Sequence, residues 1–221
     1  KEEMAGWNDD DRAEFHAFRR NSQDLLLAVY PILGDELIQM FQERARLSLE
    51  SDDWKMFEVV IFCLGQLSEA IDGNDRASQH LIAVISHPKF EAICTGLEIS
   101  TRVRHSLVEM LGRFETIFKQ NINLIPRVLT FLFSSLEVPN CTATASRSIS
   151  SLCKTCRGSL SSELPVFLDL LDRFQQSPLA TAQSLERVVE GVAAVIQALP
   201  TTNEEKAAHL ERLSSPFINR A

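Results

Sequence analysis

Cysteine and histidine have the widest chemical repertoire among the residues of this chain, and each occurs five times: Cys63, Cys94, Cys141, Cys153, Cys156, and His16, His80, His87, His105, His209. Cys153 and Cys156 form a C-x-x-C pair. As half of a zinc site the pair needs two further ligands at close spacing. The nearest histidines, His105 and His209, stand in no ligand motif. As a redox motif the pair needs a βαβ context, and its surroundings read as helix. Packing into a core is the better reading. No histidine belongs to a paired helical motif such as H-E-x-x-H, and Gly65 and Gly112 are isolated rather than part of a phosphate loop. No G-x-S-x-G nucleophile elbow is present. The residue types and spacings thus predict no catalytic residue, no metal site and no cofactor.

The elements that must position these residues are helices. Pro139–Gln176 reads as two helices joined by a short turn. The first, Asn140 to Arg157, is built from small residues, among them Cys141, Ala143, Ala145, Ser148, Ser151 and Cys153. Gly158-Ser159 interrupts it. Ser162 is expected to cap the second helix, with Pro165 at its third position, where the missing N–H costs nothing. Val166, Phe167, Leu168, Leu170, Leu171 and Phe174 give that helix a broad apolar face. The unit then recurs. Pro126 and Pro165 are 39 residues apart, as are Pro139 and Pro178, and Asn123–Leu129 matches Ser162–Leu168 at the same shift. A period near 40 with two helices per period is the signature of a helical-repeat solenoid.

Helical spacing of apolar residues extends the pattern along the chain. Helices are expected over Arg12–Leu33, Asp35–Glu50, Trp54–Ile71, Ala77–Ser86, Thr101–Lys119, Leu124–Leu136 and Leu179–Leu199. A further turn of helix is expected at Pro88–Cys94, and a last helix runs to about Ile218. Asp9–Asp11 are expected to cap the first helix and Ser177-Pro178 to open the one at Leu179. Thr202 and Glu205 read as a capping box. Aligning first helices at Trp54, Thr101, Cys141 and Thr181 matches Gly65, Gly112, Leu152 and Val192, and a glycine on a packing face lets helices approach closely. The fold class is all-α, an α-solenoid of about five HEAT-like hairpins in a right-handed superhelical stack. The repeats fall at about 12–50, 54–95, 99–136, 139–176 and 178–219, with 73–99 the least regular part.

The 221 residues carry a formal net charge of −8 and are 45% hydrophobic. An acidic chain lacks the basic footprint of a general nucleic-acid binder. No run of 18 uncharged apolar residues is present, so no membrane span is expected. An odd number of cysteines, all in apolar or small-residue helical settings, reads as reduced, buried thiols of an intracellular protein. The chain begins at Lys1 rather than Met, and both ends read as cut from a longer helical sequence. Phe15, Phe18 and Phe217 lie near those ends, which predicts exposed apolar end faces and self-association.

Several segments resemble the importin-β-type nuclear transport receptors, or karyopherins: WKMFEVVIFCLGQLSEAID (Trp54–Asp72), FRRNSQDLLLAVYPILGDEL (Phe18–Leu37), RHSLVEMLGRFETIF (Arg104–Phe118), ATASRSISSLCKTCRGSL (Ala143–Leu160) and the closing SPFINRA. The small residues followed by C-x-x-C are similar to the importin-thirteen and transportin-three branch. The resemblance covers nearly the whole chain as scattered helix motifs. It implies a middle segment of a long HEAT-repeat receptor that shuttles between cytoplasm and nucleus. Protein cargo would be loaded or released under control of a Ran-type GTPase, and the pore crossed by weak binding to Phe-Gly nucleoporins. The family's main GTPase-binding repeats lie outside this chain, and no stretch has the charge density of the branch's Arg-rich cargo helix. Apolar slots between adjacent first helices are expected to take the Phe-Gly segments.

One helix of each hairpin in a stacked solenoid lines the concave face. If the second helices do so here, Glu36, Gln39, Glu43, Asp169, Asp172, Glu204, Glu205, Glu211 and Arg212 are candidate protein-binding residues. An acidic surface of this kind speeds the approach of basic or mixed-charge cargo. The same residues also read as the solvated sides of amphipathic helices. A HEAT or armadillo scaffold for a phosphatase, kinase or coat complex is the alternative function, since fold alone does not separate the two.

Overall fold

Local signals in the chain set where its helices start and stop. The computed structural model describes residues 6–218, with side chains described for 6–214. Helix α1 (Asp9–Leu33) opens on Asn8, whose side chain accepts from the Asp11 amide while the Asp11 carboxylate accepts from the Asn8 amide. The helix therefore starts three residues before Arg12. Asp9–Asp11 lie in its first turn, where carboxylates suit the positive end of the dipole. Gly34, at φ 55°, ends it and leads into α2 (Asp35–Glu50). Asp53 caps the next first helix.

That helix is broken where the apolar period predicted continuity: α3 spans Trp54–Gln66 and α4 spans Ser68–Ile71. The break is at Leu67, which is fully buried, as is Ile71. Thr101–Lys119 is broken likewise, into α7 (Thr101–Arg113) and α8 (Glu115–Gln120), at the buried Phe114. Leu67 and Phe114 stand 47 residues apart, the same step as Trp54 and Thr101. The bend therefore recurs at the same position in these two neighbouring first helices, whereas α10 (Thr142–Cys156) and α12 (Ala182–Gln197) are each continuous. Thr116 Oγ1 donates to Asp72 Oδ1 at 2.8 Å, tying the two bent ends together.

Between them, Asn74 caps α5 (Asp75–Ile85), and the His87 ring accepts from the Lys89 amide at the start of α6 (Pro88–Thr95). A 3-10 turn at 122–124 precedes α9 (Ile125–Ser135). Helix α10 (Thr142–Cys156) and α11 (Leu164–Gln175) are separated by two 3-10 turns. Ser162 does not cap α11: its hydroxyl turns to the Glu163 carboxylate, and Pro165 sits in the first turn. Ser177-Pro178 does not open α12 (Ala182–Gln197) either. Thr181 caps it in a reciprocal pair with Ser184. Thr202 Oγ1 accepts from the Glu205 amide at the start of α13 (Asn203–Ile218).

The helices stack in two rows. First helices pack in the order α1, α3, α7, α10, α12. In the second row α2 meets α5, and α6 meets α9. Phe133 of α9 stacks on Phe167 of α11 at 5.7 Å, and Arg212 of α13 reaches α11. No strand occurs among the described residues, and the all-α helical-repeat solenoid is the observed architecture. Small residues let the first row close up. A β-carbon at Gly112 would stand 2.2 Å from Ser148 Oγ and 3.1 Å from its Cα, and one at Gly191 would stand 2.9 Å from Ser150 Cα. At Gly65 it would meet Met110 at an ordinary 3.6 Å. Helix α10 thus packs tightly on both sides, against Gly112 and against Gly191, the neighbour of the aligned Val192.

Candidate functional site: the charged second-helix edge

All nine of the candidate binding residues are exposed. On α2, Glu43 is held by Arg46 through bonds of 2.6 and 2.9 Å, and Arg46 also reaches Glu50 at 2.6 Å. These bonds hold the Glu43 carboxyl below its ordinary range and raise the Arg46 guanidinium. Glu43 is therefore partly neutralised within its own helix, while Gln39 and Glu36 share its exposed character one and two turns earlier. The structure brings Asp169 and Asp172 of α11 together with Arg212 of α13, at 3.8 and 3.1 Å. Glu204, Glu205 and Glu211 lie on the same α13 helix, with Glu204 and Glu205 in its first turn. The α2 group is separate from these, because α5, α6 and α9 intervene in the row.

The polar network that sequence reading missed lies in the first row. Glu58, 3% exposed, accepts from Arg19 of α1 at 2.7 Å and from Ser106 of α7 at 2.6 Å, with Arg102 at 3.5 Å. Arg19 lies over the Phe62 ring at 3.9 Å, and Arg102 over Phe15 at 4.5 Å. The signal was present: an acid sits between Phe57 and Ile61 on an apolar face, with partners 39 residues before and 48 after. Other links keep the same register, including Ser148 Oγ to the Val108 carbonyl, Ser177 to Glu137, and Lys89 to the Leu49 carbonyl, each 40 residues apart. A shallow cleft between α3 and α7 is lined by Ile61, Phe62, Gly65, Gln66, Glu109 and Met110.

Cys153 and Cys156 pack as core side chains on α10. Burial pushes the thiols of Cys94 and Cys153 up to about 12 and those of Cys63 and Cys156 up to about 11, and raises Cys141 as well. Such thiols carry little thiolate at neutral pH, the opposite of a reactive or ligating cysteine. Three histidines serve packing contacts: His80 with Gln42 at 2.5 Å, His105 with Thr144 at 3.3 Å, and His87 at the α6 cap. Among the described residues, no three His, Cys, Asp or Glu side chains converge to hold a metal ion. No helix there is long and apolar enough to cross a membrane.

A stack of helical hairpins of this kind defines a class, the helical-repeat proteins. Comparison with known proteins narrows it. Residues 90–170 match the family described as the Transportin-3/Importin-13 third TPR domain. A period of 39–40 residues is nearer to HEAT than to the 34 of TPR repeats. The chain is 22% identical over 218 residues to Importin-13 homolog A of Dictyostelium discoideum, covering 95% of this chain and 20% of that protein. It is 26% identical to Importin beta-like protein kap111 of Schizosaccharomyces pombe (96% and 22% covered), and 21% identical to human Importin-13 (99% and 22%). These matches bear out the resemblance: along nearly its whole length the chain is similar to importin-13-type proteins, at 21–26% identity, and over residues 90–170 to the Transportin-3/Importin-13 family. It spans about a fifth of the length of the curated relatives it matches.

Proposed function

We propose that this chain is the part of a nuclear import receptor that holds basic or mixed-charge protein cargo along its second-helix row. The receptor shuttles between cytoplasm and nucleus, with release set by a Ran-type GTPase acting on other repeats. The observation that supports this reading most is the α11–α13 group, where Asp169 and Asp172 face Arg212 and Glu204, Glu205 and Glu211 stand exposed on α13. Exposed acids of this kind contribute more to the rate and selectivity of encounter than to affinity.

Replacing Asp169, Asp172, Glu205 and Glu211 together by Asn or Gln tests the cargo reading. Binding of a basic protein domain, measured by titration at low salt, is expected to weaken on the order of tenfold, since each exposed pair is worth up to about 1 kcal/mol. The difference should shrink as salt is raised. Equal binding by both proteins at every salt concentration refutes the assignment of these residues.

A further inference from the structure

Neighbouring repeats are tied through their connectors as well as their helices. Glu137 lies in the connector between α9 and α10, and Ser177 in the connector between α11 and α12. Ser177 Oγ donates to Glu137 Oε2 at 2.6 Å and accepts from the Leu179 amide at 3.3 Å. Glu137 and Pro178 are exposed and Ser177 is half-buried, and residues 176–181 lie outside the helices. One hydroxyl therefore combines a non-helical surface segment, a proline immediately after it, and a carboxylate partner across a repeat joint.

We propose that Ser177 is a phosphorylation site for a proline-directed, ATP-dependent protein kinase, and that phosphate there opens the joint to Glu137. In the transfer, Ser177 Oγ bonds to the γ-phosphorus of ATP, the hydroxyl proton passes to the kinase's base, and ADP leaves with the electron pair of the broken P–O bond. The product has lost the proton that Ser177 donates to Glu137. In its place a phosphate of nearly two negative charges faces a carboxylate at contact distance, so an attraction becomes a like-charge repulsion. The affected joint lies between the hairpin of α9 and the hairpin that α10 and α11 form. The proposal rests on the helical stack alone and is independent of the cargo reading.

The test is to incubate the chain with ATP and a proline-directed kinase, map the phosphate by mass spectrometry, and record thermal unfolding. Ser215-Pro216 is the other Ser-Pro pair and serves with a free Ser-Pro peptide as the control for kinase activity. Phosphate is expected at Ser177, Ser177→Ala should abolish it there, and the midpoint of the phosphorylated chain should fall by roughly 2–4 °C. Glu137→Gln should remove that fall, because the phosphate then faces a neutral amide that can donate to it. Phosphate at Ser215 alone, or at neither serine while the peptide is modified, overturns the proposal. So does phosphorylation of Ser177 with an unchanged midpoint, or the same fall in Glu137→Gln.

Discussion

Gly112→Ala is a sharp test of how the first row packs. The new β-carbon would stand 2.2 Å from Ser148 Oγ, 2.7 Å from its Cβ and 3.1 Å from its Cα. Rotating the hydroxyl relieves only the first contact; the other two require α7 and α10 to move apart. Ser148 Oγ also donates to the Val108 carbonyl at 3.0 Å, a bond the variant disrupts. Overpacking costs roughly 1–3 kcal/mol and a hydrogen bond about 1 kcal/mol, against about 1 kcal/mol gained from alanine's helix propensity. The net expectation is a loss of about 2 kcal/mol, or a midpoint lower by roughly 4–8 °C in thermal unfolding followed by circular dichroism. Gly65→Ala is the control, since its β-carbon meets Met110 at no closer than 3.6 Å; it should be neutral or stabilising by up to about 1 kcal/mol. Equal effects at the two glycines would refute the claim that the α7–α10 joint is the tight one.

Three further outcomes are expected. Glu58→Gln, read by the same unfolding assay, should cost about 3 kcal/mol, because it leaves Arg19 and Arg102 without the buried carboxylate between α1, α3 and α7. The buried thiols bind protons more tightly in the folded chain than in the unfolded one, so stability should fall as pH rises from about 9 toward 12; at pH 8 a thiol-specific chromogenic reagent should react with the native chain far more slowly than with the denatured chain. Phe18, Leu25 and Ile32, exposed by 67%, 65% and 80% at seven-residue spacing along α1, should drive self-association at high concentration, and a clean monomer in light scattering would count against it.

The exposure of Phe18 accords with the apolar end face expected from the sequence, while Phe15 is half-buried against Trp7 at 5.4 Å. The side chain of Phe217 lies outside the described residues. Helix α2 was readable to the residue, because Gly34 and Asp35 mark its start and Ser51-Asp52-Asp53 its end. The bends at Leu67 and Phe114 were not, since the apolar period runs through both and only tertiary burial of the two side chains selects the break. The caps of α11 and α12 were misread for a related reason. Ser162 and Ser177 are good capping residues by type, yet the first lies inside a 3-10 turn (Ser161–Glu163) and the second makes an inter-repeat bond to Glu137. At the candidate site, residue type and helix phase made exposure legible. The pairing of Arg212 with Asp169 and Asp172 needed the 40-residue register between α11 and α13, as Glu58 needed that between α1, α3 and α7.

The transport reading is tested most directly by a pull-down with the complete gene product carrying this chain, with and without a GTP-locked Ran-type GTPase. Capture of basic proteins that the GTP-bound GTPase releases is the predicted result. Capture that is the same in both lanes would contradict it and favour a scaffold, and capture strengthened by the GTPase would contradict import and point to export.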